Sequence, residues 1–134
     1  GLVAALEASL RGDFGASHWV LVLTDLSLTG LAGLHNPHVR AVPKGSAELR
    51  ILETFFESAR PRSGQIRDTQ RDYLFGGEGS QVGSTVLIPL GDRGAYGLVA
   101  IASPDTERYL PTMSTDFLVR IGETITEAIA ARGA

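Results

Sequence analysis

The sequence predicts an α+β domain in which an antiparallel sheet carries the amino- and carboxyl-terminal helices on one face. Two neighbouring extended runs near the carboxyl end, residues 84–91 and 95–103, are separated by a turn pattern at 91–94, which predicts a hairpin. Apolar residues at helical spacing then extend from about residue 114 to 132, and a shorter helical pattern begins the chain. The irregular middle of the chain is expected to cover the other face of the sheet.

The first forty residues contain one helical and one extended pattern. Gly12 and Gly15 bracket the turn that ends the first helix. Residues 18–23 are apolar at both parities, which predicts a strand covered on both faces. Residues 25–45 lack a clear period, although 39–42 fits a short edge strand. The first helix is predicted from apolar residues at helical spacing, namely Leu2, Val3, Leu6 and Leu10.

The middle of the chain predicts short elements. Ser46 is a good N-cap for a helix over residues 47–59, which Pro61 ends. Residues 63–67 fit a short strand, and 68–75 one or two helical turns. The glycine-rich stretch 76–83 predicts a flexible connection. Ser114 is the predicted cap of the last helix.

Length and composition set bounds on function. At 134 residues the chain fits one domain, residues 1–134. No apolar run approaches the roughly 20 residues of a membrane helix, and no secretory signal is visible, so a cytoplasmic location without membrane contact is expected. The net charge of −3 disfavours direct nucleic-acid binding. The absence of cysteine excludes disulfides, thiolate metal sites and cysteine nucleophiles.

The carboxyl-terminal half resembles a known family. The hairpin and the last helix are similar to a GAF domain, a small-molecule sensor fold related to PAS, at positions that include Ser84, Gly94 and Gly97. A narrower match is to the bacterial "domain of unknown function" family 484. That match covers residues 72–128, and the similar stretches are Asp72-Tyr-Leu-Phe-Gly76, Gly97-Leu-Val-Ala-Ile-Ala-Ser-Pro-Asp105, Tyr109, Met113-Ser-Thr-Asp-Phe-Leu118 and Ile121-Gly-Glu123.

The resemblance implies a GAF-like fold and a homodimer, and it implies no known reaction. Tyr109 stands where the family more usually has Phe. The family's further helical segment upstream is expected to be missing from this chain. The cyclic-nucleotide pattern of other GAF domains has no counterpart here, and the bilin-binding and sulfoxide-reducing classes need cysteines. Neighbouring recombinase and epimerase genes in the family suggest a protein partner in recombination or cell division.

A small-ligand site is predicted between the sheet and the middle segment. Aromatic side chains on a two-sided strand fit either the core or a pocket wall. The arginines at 60, 62, 67 and 71 fit either a clamp for a small anion or ion pairs with Glu57, Asp68 and Asp72. The candidate ligand residues are Trp19, His38, Arg67, Tyr73 and Phe75, with His18 beside them.

No catalytic, metal or cofactor site is predicted. His35 and His38, with Asp25 in reach, lack the third or fourth ligand that zinc requires, so two loop histidines are the alternative. The glycine-rich stretch precedes a strand rather than a helix, unlike a phosphate loop. No Ser-His-Asp set is recognisable, so an enzyme is not expected.

The terminal helices are predicted to pack on the sheet by one flank and to form the dimer surface by the other. Gly122 lies inside the last helix, where glycine costs about 1 kcal/mol relative to alanine, so close approach to a neighbouring backbone is expected. The leading hypothesis is a regulatory module that dimerises and binds a small ligand, and the alternative is a ligand-free scaffold for a protein partner. The candidate interface residues are Leu2, Leu6, Leu118, Ile125 and Ile129.

Overall fold

A computed structural model describes residues 2–13, 15–25 and 38–133. These ranges contain helices and strands in an α+β arrangement. The helices are α1 (Leu2–Asp13), α2 (Glu53–Ser58), α3 (Asp68–Phe75) and α4 (Thr115–Gly133). The strands are β1 (His18–Leu23), β2 (Val39–Ala41), β3 (Arg62–Gly64), β4 (Ser84–Leu90) and β5 (Gly97–Ser103). Short 3-10 segments occupy Ala47–Leu52, Gly76–Gln81 and Asp92–Gly94.

The five strands form one mixed sheet in the order β2-β1-β5-β4-β3. The predicted hairpin is confirmed, because β4 and β5 pair antiparallel from Ser84 opposite Ser103 to Leu90 opposite Gly97. The prediction of an entirely antiparallel sheet is wrong at one edge, where β2 runs parallel to β1. A parallel pair needs a crossover of about a dozen residues, and the chain between β1 and β2 is long enough to supply one.

Two apolar cores lie on opposite faces of the sheet. On one face, side chains of α1 and α4 pack on alternate residues of β1, β4 and β5, as with Leu10, Ile88 and Ile129. On the other, Leu52, Phe55 and other residues from the middle of the chain pack on the intervening positions of the same strands. Both faces of the central strands are therefore covered, which explains why residues 18–23 are apolar at both parities.

Gly122 brings α4 directly onto β4. A β carbon at this position would lie 2.8 Å from Ile88 Cγ2 and 3.2 Å from the Pro89 carbonyl oxygen. The close approach predicted from the sequence is confirmed, and the neighbouring backbone belongs to the sheet. The helix begins as predicted, since Ser114 Oγ accepts a hydrogen bond from the Phe117 N–H at 3.4 Å.

Three local predictions need correction. Ser46 precedes the segment 47–59 as expected, but its hydroxyl makes no capping hydrogen bond and the first half of the segment is a 3-10 helix. The short strand lies at Arg62–Gly64 rather than at 63–67. The glycine-rich connection contains the 3-10 helix Gly76–Gln81. Within the described ranges, no helix is both long and apolar enough to cross a bilayer.

Candidate functional site

A cavity of about 440 Å³ lies at the open edge of β1, between the sheet and the end of α3. The β2 pairing begins at Leu21 opposite Val39, so the first half of β1 extends beyond it. This cavity, called the Trp19 cleft below, brings together three of the predicted ligand residues, Trp19, His38 and Phe75. The complete lining is Arg11, Ser17, His18, Trp19, Val20, His38, Arg40, Leu74, Phe75 and Gly76.

His38 covers the Trp19 side chain. The two rings stack with centroids 4.5 Å apart and planes inclined by 10°. His38 Nδ1 lies 3.0 Å from the Trp19 carbonyl oxygen, and because that oxygen can only accept, Nδ1 carries the proton. His38 Nε2 lies 3.6 Å from Glu7 Oε1, so the imidazole connects α1 to the strand edge.

Trp19 is both a core residue and a wall of the cleft. The two roles that the sequence allowed for an aromatic residue on this strand, core packing and pocket lining, are therefore compatible. Only 3% of the residue is exposed. The indole Nε1 atom forms no hydrogen bond in the described part of the chain, although the indole is near enough to Glu7 to influence its ionisation. The pKa of Glu7 is lowered, chiefly by the hydrogen bond that Arg11 donates at 3.2 Å, with burial opposing the shift.

Arg40 ties β2 to the carboxyl-terminal end of α3. Its guanidinium donates to the carbonyl oxygens of Tyr73 at 2.7 Å and Leu74 at 3.4 Å, and it lies over the Tyr73 ring, 5.0 Å from the centroid. A cation at this end of a helix is favoured by the helix dipole. Arg40 therefore holds the floor of the cleft in place.

Two predicted ligand residues lie outside the Trp19 cleft. Tyr73 is half-buried beneath Arg40, and burial raises the pKa of its phenol, with Glu48 acting in the same direction. Arg67 is exposed at the start of α3, where its backbone N–H donates to Gln70 Oε1 at 3.2 Å. Neither Arg67 nor Tyr73 lines the cavity, although both are close in sequence to Phe75, which does.

The arginine cluster forms ion pairs at one position. Arg71 lies 3.4 Å from Asp68 and 3.7 Å from Asp72. Of the two roles predicted for the arginine cluster, an anion clamp or ion pairs, Arg71 has the second, and it pairs with Asp68 and Asp72 at the surface. His35, the other histidine considered as a metal ligand and not predicted to be one, lies outside the described residues. Within those residues, no three His, Asp or Glu side chains are arranged to hold a metal ion.

The predicted interface residues lie mainly inside the monomer. Leu6, Leu118, Ile125 and Ile129 belong to the core between the terminal helices and the sheet, and each is at least nine-tenths buried. Only the backbone of Leu2 is described. The apolar side chains that α4 leaves at the surface are instead Phe117, 52% exposed, and Val119, 38% exposed.

Sequence reasoning missed a second cavity, of about 490 Å³, beyond the carboxyl end of β1. It is called the basic groove below. Two signals could have indicated it: Lys44 is the single lysine of the chain, and Arg93 stands in the hairpin turn between glycine-rich positions. The lining is Thr24, Lys44, Gly45, Ser46, Leu49, Arg50, Glu53, Phe56, Glu57, Arg93 and Gly94.

Comparison with known proteins gives one result. Residues 2–132 match the family described as "Protein of unknown function, DUF484". The match extends well beyond residues 72–128, the stretch in which the sequence resemblance was specific. No curated protein matches the chain.

Proposed function

The chain belongs to the DUF484 family, and from this we propose that it is a cytoplasmic, non-enzymatic regulatory module with a GAF-like fold. In this proposal the module binds a small molecule in the Trp19 cleft and forms a homodimer. The layer arrangement supports a GAF-like fold, because α1 and α4 share one face of the sheet and the middle of the chain packs on the other.

The observation that carries the proposal is the convergence of Trp19, His38 and Phe75 around one cavity. The space between the centre of the sheet and the middle segment is filled by Leu52, Phe55 and other side chains. A ligand between the sheet and the middle segment therefore has room at the edge of β1. The volume of the Trp19 cleft, about 440 Å³, is within the range of roughly 300–1,000 Å³ that is typical of small-molecule sites.

The cleft favours a planar ligand with little charge. Its two arginines are already engaged, because Arg40 donates to the end of α3 and Arg11 donates to Glu7 and to the Ser17 carbonyl oxygen. Binding would then come from contact with the aromatic rings, which prefer flat partners. This differs from the small anion that an arginine clamp would select.

The geometry around Ser17 supports a non-enzymatic role. Ser17 Oγ lies 2.9 Å from His18 Nδ1, a spacing that resembles a nucleophile and its base. The same hydroxyl donates to the Ala102 carbonyl oxygen at 3.1 Å. The Ala102 carbonyl oxygen can only accept, so when both contacts are made the single Ser17 proton goes to that oxygen, and His18 Nδ1 is then a donor to Ser17 rather than its base.

Trp19 is the single tryptophan of the chain, so tryptophan fluorescence reports on this one position beside the cleft. We expect native mass spectrometry of freshly purified protein to show a bound small molecule. A desalted metabolite extract should change the Trp19 emission in a saturable way, and Phe75→Ala should abolish that change. Leu110→Ala, which shortens an exposed apolar side chain outside the cleft lining, is the matched control and should respond like the wild type.

The ligand proposal fails if native spectra show only the bare polypeptide and the extract leaves Trp19 emission unchanged. An equal response of the wild type and Phe75→Ala would place binding elsewhere. Both variants need thermal unfolding curves, so that a loss of response is compared between folded proteins.

The homodimer is proposed from the family resemblance and from the surface of the terminal helices. Phe117 and Ile121 line a groove of about 330 Å³ between α4 and α1. Sedimentation equilibrium at micromolar concentration should show a dimer, and Phe117→Ser should shift it toward monomer. A wild-type monomer throughout this range would contradict dimerisation.

A ligand-free interaction scaffold is the second candidate function. The exposed Phe117 beside the groove between α4 and α1 favours it, because exposed apolar patches are typical of protein contacts. A protein that remains bare in native spectra and binds no extract component, while still dimerising through α4, would favour this candidate over the sensory module.

A further inference from the structure

The basic groove lies at the opposite end of β1 from the Trp19 cleft. Thr24 follows the last residue of β1, whereas the Trp19 cleft begins at the first residues of that strand. The walls come from the segment 44–57 and from the β4–β5 turn at Arg93 and Gly94. The two cavities therefore have no lining residue in common.

An apolar surface forms the floor of the groove. Leu49 is 9% exposed and belongs to the core beneath. The Phe56 ring lies against the hairpin turn, close enough that a β carbon at Gly94 would be 3.4 Å from its Cδ1 atom. A ring or short aliphatic group can therefore rest on Leu49 and Phe56 without displacing a polar side chain.

Three cations line the rim, and they are not used by the fold. Among the described residues, Lys44, Arg50 and Arg93 form neither an ion pair within 4.0 Å nor a side-chain hydrogen bond. The arginines at 11, 40 and 71 are all engaged with carboxylates or carbonyl oxygens. The groove thus concentrates available positive charge, although the chain as a whole carries −3.

Arg93 adopts a backbone conformation that is unfavourable for its residue type. Its φ is +52° and its ψ is +33°, in the left-handed region. The adjacent positive-φ positions of the same turn, Gly91 and Gly94, are glycines, for which this region carries no steric penalty. Strain of this kind is concentrated at functional sites, and here it coincides with a guanidinium at the rim of a cavity.

We propose that the basic groove binds a small organic anion, with a phosphate or carboxylate group held by Lys44, Arg50 and Arg93 and an apolar body resting on Leu49 and Phe56. Glu53 and Glu57 lie one helical turn apart in the same lining. Their negative charge disfavours a polyanion that fills the groove and favours a ligand with a single anionic end. The site is independent of the Trp19 cleft and of dimerisation.

Phenyl phosphate combines both parts and is the probe for titration of the isotope-labelled chain by NMR. We expect saturable shifts of the backbone amides of Thr24, Leu49, Phe56 and Gly94. Benzyl alcohol, which lacks the anion, should give no saturable shift, and inorganic phosphate should bind at least fivefold more weakly than phenyl phosphate. Benzoate separates the two anion types: binding as tight as that of phenyl phosphate indicates a carboxylate site, and weaker binding a phosphate site.

Arg93→Gly is the most informative variant, because glycine suits the backbone at that position and the fold should be retained. We expect Arg93→Gly and Lys44→Gln each to weaken phenyl phosphate binding at least fivefold. Arg120→Ala makes the same change in net charge on the exposed surface of α4 and should bind within twofold of the wild type. The proposal is overturned if shifts do not saturate, if Arg120→Ala weakens binding as much as Arg93→Gly, or if inorganic phosphate binds as tightly as phenyl phosphate.

Discussion

The imidazole of His38 lies flat on the indole of Trp19, with ring centroids 4.5 Å apart. The same imidazole donates to the Trp19 carbonyl oxygen, two residues before Leu21, where the registered pairing of β1 with β2 begins. His38 thereby adds a side-chain contact to the backbone hydrogen bond that its carbonyl oxygen accepts from the Leu21 N–H at 2.7 Å. Trp19 is shielded on this side by a residue that also lines the proposed ligand cleft.

Replacing His38 should destabilise the protein and expose Trp19. A stacked ring pair contributes about 0.5–1.5 kcal/mol beyond its buried area, and a hydrogen bond adds about 1 kcal/mol. We expect His38→Ala to lower the free energy of unfolding by about 1–2 kcal/mol and to shift Trp19 emission to longer wavelength. His38→Phe keeps a ring without the hydrogen bond and should lose roughly half as much. Urea unfolding followed by Trp19 fluorescence measures both, and an unchanged emission in His38→Ala would contradict the stack.

Arg40 should stabilise the end of α3. Hydrogen bonds from a charged donor contribute about 1.5–3 kcal/mol, reduced here because the side chain is partly exposed. We expect Arg40→Ala to cost about 1–2 kcal/mol and to accelerate hydrogen exchange in α3. Arg40→Lys keeps the positive charge but loses the forked guanidinium donors, so its stability should lie between those of the wild type and Arg40→Ala. Arg50→Ala removes an exposed arginine that forms no ion pair with any other described residue, and it should change stability by less than about 0.5 kcal/mol. Equal effects at positions 40 and 50 would contradict a stabilising role of the Arg40 hydrogen bonds.

Gly122 and Gly12 should respond differently to alanine: only Gly12→Ala should stabilise the protein. Alanine is favoured over glycine inside a helix by about 1 kcal/mol. At Gly12 nothing lies within 4 Å of the new β carbon, so Gly12→Ala should stabilise by about 0.5–1 kcal/mol. At Gly122 the new atom meets the stiff, buried Ile88 and the Pro89 carbonyl, and overpacking of this kind costs about 1–3 kcal/mol.

Gly122→Ala should therefore be neutral to destabilising. Calorimetric melting curves of the two single variants test the sign. A double variant that combines Gly122→Ala with Ile88→Ala should lose less stability than the sum of the single changes, since the steric conflict is removed. Stabilisation by Gly122→Ala comparable to that of Gly12→Ala would show that the helix does not approach β4 so closely.

Alkaline pH should reveal two buried phenols. Burial raises the pKa of Tyr73 and of Tyr109 above the ordinary value of about 10. Because the folded-state pKa lies above the unfolded one, their contribution to stability is complete below about pH 10 and is lost as pH rises through the folded-state values. Tyr73→Phe and Tyr109→Phe should each remove one late step from the tyrosinate absorbance titration and weaken the loss of stability with rising pH. A titration above about pH 10 that neither variant alters would contradict this.

Much of the element pattern was predictable because it depends on interactions over a few residues. The apolar run at residues 18–23, the turn residues before β5 and the cap at Ser114 each specify local backbone structure. The strand, the turn and the capped helix are all present in the structure. The apolar stripe of α4 was also visible, but a stripe does not distinguish a sheet from a second subunit. Leu118 and Ile129 were predicted at a dimer surface and lie against the sheet of the same chain.

The sequence by itself determined most of the helices and strands, that the central strands are covered on both faces, and the family through residues of the last hairpin and helix. Only the tertiary structure decided that β2 runs parallel to β1, that Trp19, His38 and Phe75 meet while Arg67 stays apart, and that Lys44 and Arg93 share a groove. The reason is the range of the forces involved. Periodicity and capping act within one or two turns, whereas strand direction and cavity lining depend on contacts between residues far apart in the chain.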